Sequence, residues 1–231
     1  MNFFDLSPEE KSAYQGKYKL DPHTGVDSVS FWRDQFKACV HPNFGSPPKP
    51  EGLSEILCEY TEKSREIMKE LLKAIMEGLE LDEDDFEKSL ELNSGDQIFS
   101  ANLYPPCPQP ELAIGLPPHA DHGLLTLLIQ NDVDGLHIKN KEKWVAVNPI
   151  PNSIMVNTGD HMEVCISLGK CSFTKFSQEK YAPCSYYVCF VLWTLSKGKY
   201  KSVVHRDVVN NKQTRVSLVM TNGSSKETDA T

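Results

Sequence analysis

The second half of the sequence alternates short apolar runs with turn-forming residues, and this pattern constrains the fold more than any other feature. Apolar and β-branched residues repeat with the two-residue period of strands in the segments 97–104, 124–130, 136–139, 143–147, 153–157, 203–209 and 214–221. Turn signals separate them, among them Pro105-Pro106, Pro117-Pro118 and Asn210-Asn211. Many short strands after a helical segment predict an α+β protein whose core is a double-stranded β-helix (jelly roll), with N-terminal helices packed outside.

The N-terminal part of the chain has a different pattern. Residues 1–50 are rich in proline and are expected to be mostly loop, with aromatic side chains such as Trp32 and Phe36 pinning the segment onto a core. Residues 52–78 carry apolar side chains at helical spacing, which predicts one long amphipathic helix that ends at Gly78. A short acidic helix is expected at residues 82–92.

Composition restricts the partners of the chain. Its 231 residues can bury one sizeable core, and 24 Lys and Arg against 32 Asp and Glu give a net charge of −8, which disfavours nucleic acid and anionic membranes as partners. The acidic N-terminus predicts no signal peptide, and no apolar run is long enough to span a bilayer. Seven cysteines without a CxxC pair fit free thiols. We therefore expect a cytoplasmic monomer that acts on a small molecule.

His119 and Asp121 place an imidazole and a carboxylate two residues apart. Because residues i and i+2 of a strand point to the same face, both side chains could bind one ion. His205, in a later predicted strand, could supply the third ligand. Two histidines and one carboxylate form the facial arrangement that leaves half of an octahedral iron site open.

The spacing of His119 and Asp121 is weakly specific by itself, and an ordinary surface or core histidine is the competing interpretation. His122 would face away from Asp121 on a strand. His137 and His161 are weaker alternatives, since neither has a carboxylate two residues away in a matching context.

Arg215 and Ser217 again share one face of a predicted strand. A guanidinium binds a carboxylate with two parallel hydrogen bonds and a hydroxyl adds a further donor, which suits the distal carboxylate of 2-oxoglutarate. Tyr104, at the end of an earlier strand, could donate a third hydrogen bond. The competing interpretation of Arg215 is a solvated surface charge.

Six segments in order carry a family resemblance: Asn-Leu-Tyr-Pro-Pro-Cys-Pro at 102–108, Gly-Leu-Pro-Pro-His-Ala-Asp-His-Gly-Leu-Leu-Thr-Leu-Leu-Ile-Gln at 115–130, Val-Asn-Pro-Ile-Pro-Asn-Ser at 147–153, Val-Asn-Thr-Gly-Asp at 156–160, Lys-Tyr-Lys-Ser-Val-Val-His-Arg at 199–206 and Thr-Arg-Val-Ser at 214–217. Together with Phe3–Lys11 they resemble the plant 2-oxoglutarate/Fe(II)-dependent dioxygenases, a group that includes flavonoid, gibberellin, coumarin and salicylate oxygenases. The resemblance covers nearly the whole chain except one block.

The resemblance implies specific roles for the candidate residues. The implied Fe(II) ligands are His119, Asp121 and His205, and the implied 2-oxoglutarate-binding residues are Arg215 and Ser217, with Tyr104 and Asn102 assisting. The implied reaction is the hydroxylation or desaturation of a small, largely apolar metabolite of plant secondary metabolism. It uses O₂ and releases succinate and CO₂, and ascorbate is expected to support it.

Residues 165–194 form the block without a counterpart in the family pattern. The block contains four of the seven cysteines and has abrupt edges, which suggests a retained intron or a gene-model error. Zinc binding by Cys165, Cys171, Cys184 and Cys189 is a weaker alternative, because their spacing does not match common zinc motifs. Both ends of the chain also look short. The expected organisation is an N-terminal helical and loop region (1–95), the oxygenase jelly roll (96–222, with the insert 165–194) and a disordered tail (223–231).

Two alternatives to a working oxygenase remain open. Because the insert precedes the strand with His205, the chain could be a catalytically inactive or unstable variant in which the insert and the short ends impair the site. An insert that loops out would cost only about 1–3 kcal/mol in closure entropy and would let the ligands meet. A metal-free, cupin-like binding module is the second alternative.

Overall fold

The computed structural model of the chain describes residues 3–14, 31–79, 95–160, 162, 187–190 and 202–223. The predicted acidic helix at 82–92, the cysteine side chains of the block 165–194, and residues 224–231 of the predicted tail lie outside these residues. Within the described part of the chain, no helix has the length and apolar character needed to cross a bilayer.

The described residues form two α-helices and ten strands, with short 3₁₀ turns at Phe3–Asp5 and Pro110–Leu112. The helices are α1 (Pro8–Lys11) and α2 (Leu53–Leu79). The strands are β1 (Asp34–His41), β2 (Gln97–Tyr104), β3 (Leu116–His119), β4 (Leu125–Gln130), β5 (Leu136–Asn140), β6 (Lys143–Ala146), β7 (Ser153–Thr158), β8 (Tyr187–Phe190), β9 (His205–Asp207) and β10 (Arg215–Asn222).

The strands form two sheets. One has six strands in the order β1-β2-β10-β4-β7-β8, and the other has four in the order β3-β9-β5-β6. All pairs are antiparallel except β7 with β8, which are parallel. The chain crosses repeatedly between the two sheets, as the order of the strands requires. This is the predicted double-stranded β-helix with helices at its N-terminal side.

Helix α2 covers one face of the six-stranded sheet. Its buried residues follow a helical stripe formed by Leu57, Thr61, Ser64, Met68, Leu72 and Ile75, and the apolar ones pack with Phe36, Phe99 and Met220 of the sheet. Burying each large apolar side chain contributes about 1.5–3 kcal/mol. The packing of α2 therefore fixes which face of the sheet is apolar.

Alternation along the strands gives the opposite face of that sheet a polar character. On β10, Leu218 and Met220 belong to the apolar core, so Arg215 and Ser217 point the other way, towards the four-stranded sheet. Val219, on the same face as Arg215, packs in a small cluster with Leu136 of the second sheet. The space between the sheets therefore receives the polar residues that carry the predicted chemistry.

Several predictions about the elements need correction. Strand β1 lies inside the segment expected to be mostly loop, where its residues pair with β2 from Asp34 to His41. Pro117 and Pro118, expected to form a turn, lie in β3, which is an edge strand. Its ladder pairs only Leu116 and His119 with β9, so the prolines are not needed as donors. The segment predicted at 203–209 is a strand only over His205–Asp207, and α2 continues past Gly78 to Leu79.

The predicted insert touches the fold at one described place. Within the block 165–194, residues Tyr187–Phe190 pair in parallel with Ser153–Val156 of β7 and form one edge of the six-stranded sheet. This part of the block extends the sheet. The origin of the block stays a hypothesis.

Candidate metal centre

Three potential metal ligands converge where β3 and β9 lie side by side. His119 ends β3, His205 begins β9, and the two residues are register partners. Asp121 Oδ1 lies 3.9 Å from His119 Nε2 and 3.7 Å from His205 Nε2. One ligand atom of each residue lies within 4.8 Å of the others, so small side-chain movements would bring all three to one ion with bonds of about 2 Å.

Asp121 reaches the cluster in a way that the strand argument missed. Strand β3 ends at His119, and Asp121 lies in the loop that follows. The Asp160 N–H donates a 2.7 Å hydrogen bond to the Asp121 carbonyl oxygen and ties this loop to the end of β7. The backbone at residue 159 approaches this loop so closely that glycine is required there. A Cβ on Gly159 would lie 2.8 Å from the Asp121 carbonyl oxygen and 2.0 Å from the Gly123 carbonyl oxygen.

Backbone carbonyls orient both imidazoles. His119 Nδ1 is 2.8 Å from the Pro117 oxygen, and His205 Nδ1 is 2.9 Å from the Val203 oxygen. A carbonyl only accepts hydrogen bonds, so each Nδ1 carries the proton and each Nε2 keeps its lone pair for a ligand. Burial, and then the neighbouring His205 ring, lower the pKa of His119, which favours the neutral form that binds metals.

The carboxylate of Asp121 gives the clearest indication that an ion belongs here. Its Oδ2 atom is buried and has no hydrogen-bond partner among the described residues. Leaving such an atom unpaired costs about 1–3 kcal/mol or more. Two imidazole nitrogens and a carboxylate oxygen are the ligand set of the facial iron site. The residues present therefore fit a divalent cation such as Fe(II).

The rival histidines do not join the cluster. His122 has a side chain that is 86% exposed, and its Nδ1 lies 3.6 Å from Asp160 Oδ2. Among the described residues, the potential metal ligands that converge are His119, Asp121 and His205. His137 lies on β5 outside this group, and His161 lies outside the described residues.

The predicted carboxylate-binding residues Asn102, Tyr104, Arg215 and Ser217 lie close together, and with Gln130 and Asp207, which were not predicted, they form a second group that we call the arginine cluster. Strand register produces it, because Arg215 pairs with Tyr104 and Ser217 with Asn102 across β10 and β2. Arg215 is 1% exposed, so the interpretation as a solvated surface charge is wrong. Asn102 Nδ2 donates a 3.2 Å hydrogen bond to Ser217 Oγ.

Arg215 has protein partners on several sides. Its guanidinium donates a 2.9 Å hydrogen bond from Nη2 to Gln130 Oε1 and lies 5.0 Å from the centre of the Tyr104 ring. Its Nη1 lies 2.9 Å from Asp207 Oδ1 as an ion pair. Gly135 makes room for it, since a Cβ there would lie 2.6 Å from Arg215 Cδ.

Asp207 is the site residue that sequence reasoning missed. Tyr104 donates its hydroxyl proton to Asp207 Oδ2 over 2.6 Å, and burial together with the Asp207 charge raises the pKa of Tyr104. The signal was available, because Asp207 lies two residues after His205 on a predicted strand and so shares its face.

The fold and the two clusters define a class: a jelly-roll protein with a facial two-histidine, one-carboxylate site and a buried arginine beside it. Comparison with known proteins agrees with this class. Residues 89–175 match the profile of the 2OG-Fe(II) oxygenase superfamily. The chain is 37% identical to 2-oxoglutarate-dependent dioxygenase 19 of Oryza sativa subsp. japonica, over 97% of this chain and 60% of the relative.

Two further similarities extend the comparison. The chain is 36% identical to DMR6-LIKE OXYGENASE 1 of Arabidopsis thaliana, over 85% of this chain and 48% of that protein. Among solved structures, JOX2 in complex with 2OG, Fe and JA has a TM-score of 0.63 and 28% identity, over 85% of this chain and 51% of that one. Residues 89–175 thus match the 2OG-Fe(II) oxygenase superfamily, and plant 2-oxoglutarate-dependent dioxygenases are relatives of this chain. It spans about half to three fifths of the length of these curated relatives.

Proposed function

We propose that this chain is an Fe(II)- and 2-oxoglutarate-dependent oxygenase that hydroxylates or desaturates a small, largely apolar plant metabolite. The observation that carries the proposal is the convergence of His119, Asp121 and His205, with both Nε2 atoms free and a buried carboxylate oxygen unpartnered. The match to the superfamily supports the same chemistry. The proposed catalytic unit is the jelly roll of residues 96–222, with 165–194 as an insertion.

Each residue has a distinct role in this proposal. His119, Asp121 and His205 would hold Fe(II) from one side and leave the other side open. When bound, the iron supplies the oxidising chemistry, coupling decarboxylation of 2-oxoglutarate with O₂ to substrate oxidation and releasing succinate and CO₂. The carbonyls of Pro117 and Val203 keep the Nδ1 protons in place, so the ligating nitrogens stay unprotonated.

The arginine cluster would position the distal carboxylate of 2-oxoglutarate. Arg215 supplies the charge and Ser217 a hydroxyl donor. Asn102 orients Ser217 through its 3.2 Å hydrogen bond, and the Tyr104 hydroxyl, which donates to Asp207 in this structure, could donate to the cosubstrate instead. Burial of Arg215 and Tyr104 excludes water and strengthens these interactions. A cytoplasmic monomer assisted by ascorbate completes the proposal.

Metal binding by the purified chain tests the proposal. We expect Mn(II), a redox-stable substitute for Fe(II), to raise the melting temperature, and Fe(II) with ascorbate to support decarboxylation of 2-oxoglutarate. Asp121→Ala should weaken metal binding by about 100-fold or more, because it removes a ligand. His122→Ala is the matched control, since its exposed ring lies one residue away and outside the cluster.

Other outcomes would contradict the proposal. If Asp121→Ala keeps the metal-dependent shift, the cluster is not the metal site. A wild-type chain with no metal-dependent shift and no turnover would favour the inactive or unstable variant. The metal-free binding module predicts that His119→Ala changes nothing.

A further inference from the structure

We propose that Asp207 determines cosubstrate specificity: its carboxylate competes for Arg215 with the distal carboxylate of the 2-oxo acid. The chain would then bind a dianionic 2-oxo acid such as 2-oxoglutarate more weakly, relative to a monoanionic one of equal length, than Arg215 alone would allow. This inference rests on the proposed function, because it concerns the cosubstrate half of the same site.

The position of Asp207 directs its carboxylate towards Arg215 and Tyr104. Strand β9 lies between β3 and β5, where Asp207 pairs with Leu116 on one side and Leu136 on the other. Its side chain is buried and points towards β10. One carboxylate oxygen lies 2.9 Å from Arg215 Nη1, and the other accepts the Tyr104 hydroxyl over 2.6 Å. Asp207 therefore accepts the Tyr104 hydroxyl and pairs electrostatically with Arg215 Nη1, an ion pair that lacks hydrogen-bond geometry.

Arg215 has other N–H donors beside the one that faces Asp207. Nη2 already donates to Gln130, and Nε has no hydrogen-bond partner among the described residues. Two-point binding of a carboxylate uses two donors along one edge of the guanidinium. A distal carboxylate bound at Nη1 must therefore displace Asp207 from that atom, and one bound at Nε and Nη2 must share Nη2 with Gln130.

Charge favours the same conclusion. The guanidinium and Asp207 form a buried pair of zero net charge. A second carboxylate would add a negative charge to this pair in a poorly solvated site, which is unfavourable. Of the other arginines, Arg206 stacks 4.3 Å from the centre of the Trp144 ring, whereas Arg33 contacts the edge of the cluster by donating to Asn102 Oδ1. A monoanionic 2-oxo acid would not meet this repulsion.

A purely structural role for Asp207 is the competing interpretation. On that view Asp207 only neutralises a buried arginine, as many buried acids do. Both views predict that Asp207→Asn lowers the stability of the ligand-free protein. They differ in ligand binding, because only competition changes the preference between a dianionic and a monoanionic 2-oxo acid.

The test compares 2-oxoglutarate with 2-oxopentanoate, which has the same chain length and chelating group but no distal carboxylate. Binding of each is measured anaerobically by calorimetry with the Mn(II)-loaded full chain. In Asp207→Asn we expect the affinity for 2-oxoglutarate to rise about tenfold, while the affinity for 2-oxopentanoate changes less than about twofold. Asp34→Asn removes the partly buried ion pair between Asp34 of β1 and Lys11 of α1, and it should leave both affinities unchanged.

The outcomes separate this inference from the proposed function. If Mn(II) and both acids bind but Asp207→Asn does not change their affinity ratio, the inference is overturned and the proposed function stands. If neither acid binds with Mn(II), both are overturned. Should Asp207→Asn fail to fold, the wild-type ratio decides: a preference for 2-oxoglutarate below about tenfold supports competition, and a larger preference overturns it.

Discussion

The two metal-ligand histidines lie on the four-stranded sheet, and the arginine cluster, except for Asp207, lies on the six-stranded sheet. The two groups differ in the charged partners that the protein gives them. In the metal group, the Nε2 atoms of His119 and His205 face Asp121, and one Asp121 oxygen has no hydrogen-bond partner among the described residues. In the arginine cluster, Arg215 already has a carboxylate and an amide oxygen as partners. Among the described residues, the carboxylate of one half faces two imidazoles, and the arginine of the other half has a carboxylate as its counterion.

This difference teaches that the two halves respond differently to a ligand. A cation entering the metal group gains new bonds without breaking protein contacts. An anion entering the arginine cluster must compete with Asp207 and Gln130. On the proposed function, the metal group would bind its ion without breaking contacts, whereas the arginine cluster would bind its ligand in competition with Asp207.

Removing the arginine should have the largest effect on stability. Arg215→Met leaves Asp207 buried without its counterion, and we expect a loss of about 3–5 kcal/mol in the free energy of unfolding, measured with urea. Changing both members, in Arg215→Met with Asp207→Leu, should recover most of that loss because no unpaired charge remains. Equal destabilisation of the single and double variants would show that the pair does not dominate the cluster.

Two glycines allow each half to be disturbed separately. A Cβ at Gly159 meets the Gly123 carbonyl oxygen at 2.0 Å, whereas one at Gly135 meets the Arg215 side chain at 2.6 Å. Each alanine variant should cost about 1–3 kcal/mol. Gly159→Ala should weaken Mn(II) binding by moving Asp121, and Gly135→Ala should leave Mn(II) binding intact but alter 2-oxoglutarate binding.

The control for this pair is Gly52→Ala at the start of α2. Its φ of 83° makes alanine unfavourable, but a Cβ there has no neighbour within 4 Å. Gly52→Ala should lower the free energy of unfolding and leave the affinities for Mn(II) and 2-oxoglutarate unchanged. If Gly159→Ala and Gly135→Ala affect both ligands equally, the two halves do not act separately.

Acid should weaken the metal group and leave the arginine charged, which is the smallest effect expected. The folded pKa of His119 lies below its unfolded value of 6.5 because the ring is buried beside His205. Below about pH 6.5 the unfolded chain binds more protons than the folded one. The free energy of unfolding therefore decreases as the pH falls below that value.

Urea unfolding of the chelator-treated protein at several pH values measures this contribution. His119→Gln should lose less stability between about pH 7 and pH 5 than the wild type, because it lacks the titrating ring. His122→Gln, which removes an exposed ring, should follow the wild type. A His119→Gln chain with the wild-type pH dependence would contradict the burial argument.

Local patterns predicted most of the described elements. The bounds predicted for β2 agree with Gln97–Tyr104, and α2 differs from its prediction by one residue at each end. The errors have physical causes. Strand β1 was missed because the surrounding segment is rich in proline. Pairing with β2 makes it a strand, and its own sequence pattern does not show that pairing. The prediction that Asp121 lies on a strand was wrong. A loop, held by close backbone contacts at Gly123 and Gly159, brings its side chain to the histidines.

By itself the sequence predicted the family resemblance, the jelly-roll class and the candidate ligands, because these depend on residue type and on spacing along the chain. Only the tertiary structure decided which groups meet. Asp207 and Arg215 lie on strands of different sheets, and the pairing of Arg215 with Tyr104 depends on register across β10 and β2. Their contacts depend on sheet packing, which no local pattern encodes. That packing brings a carboxylate of the protein to the arginine proposed to bind the cosubstrate.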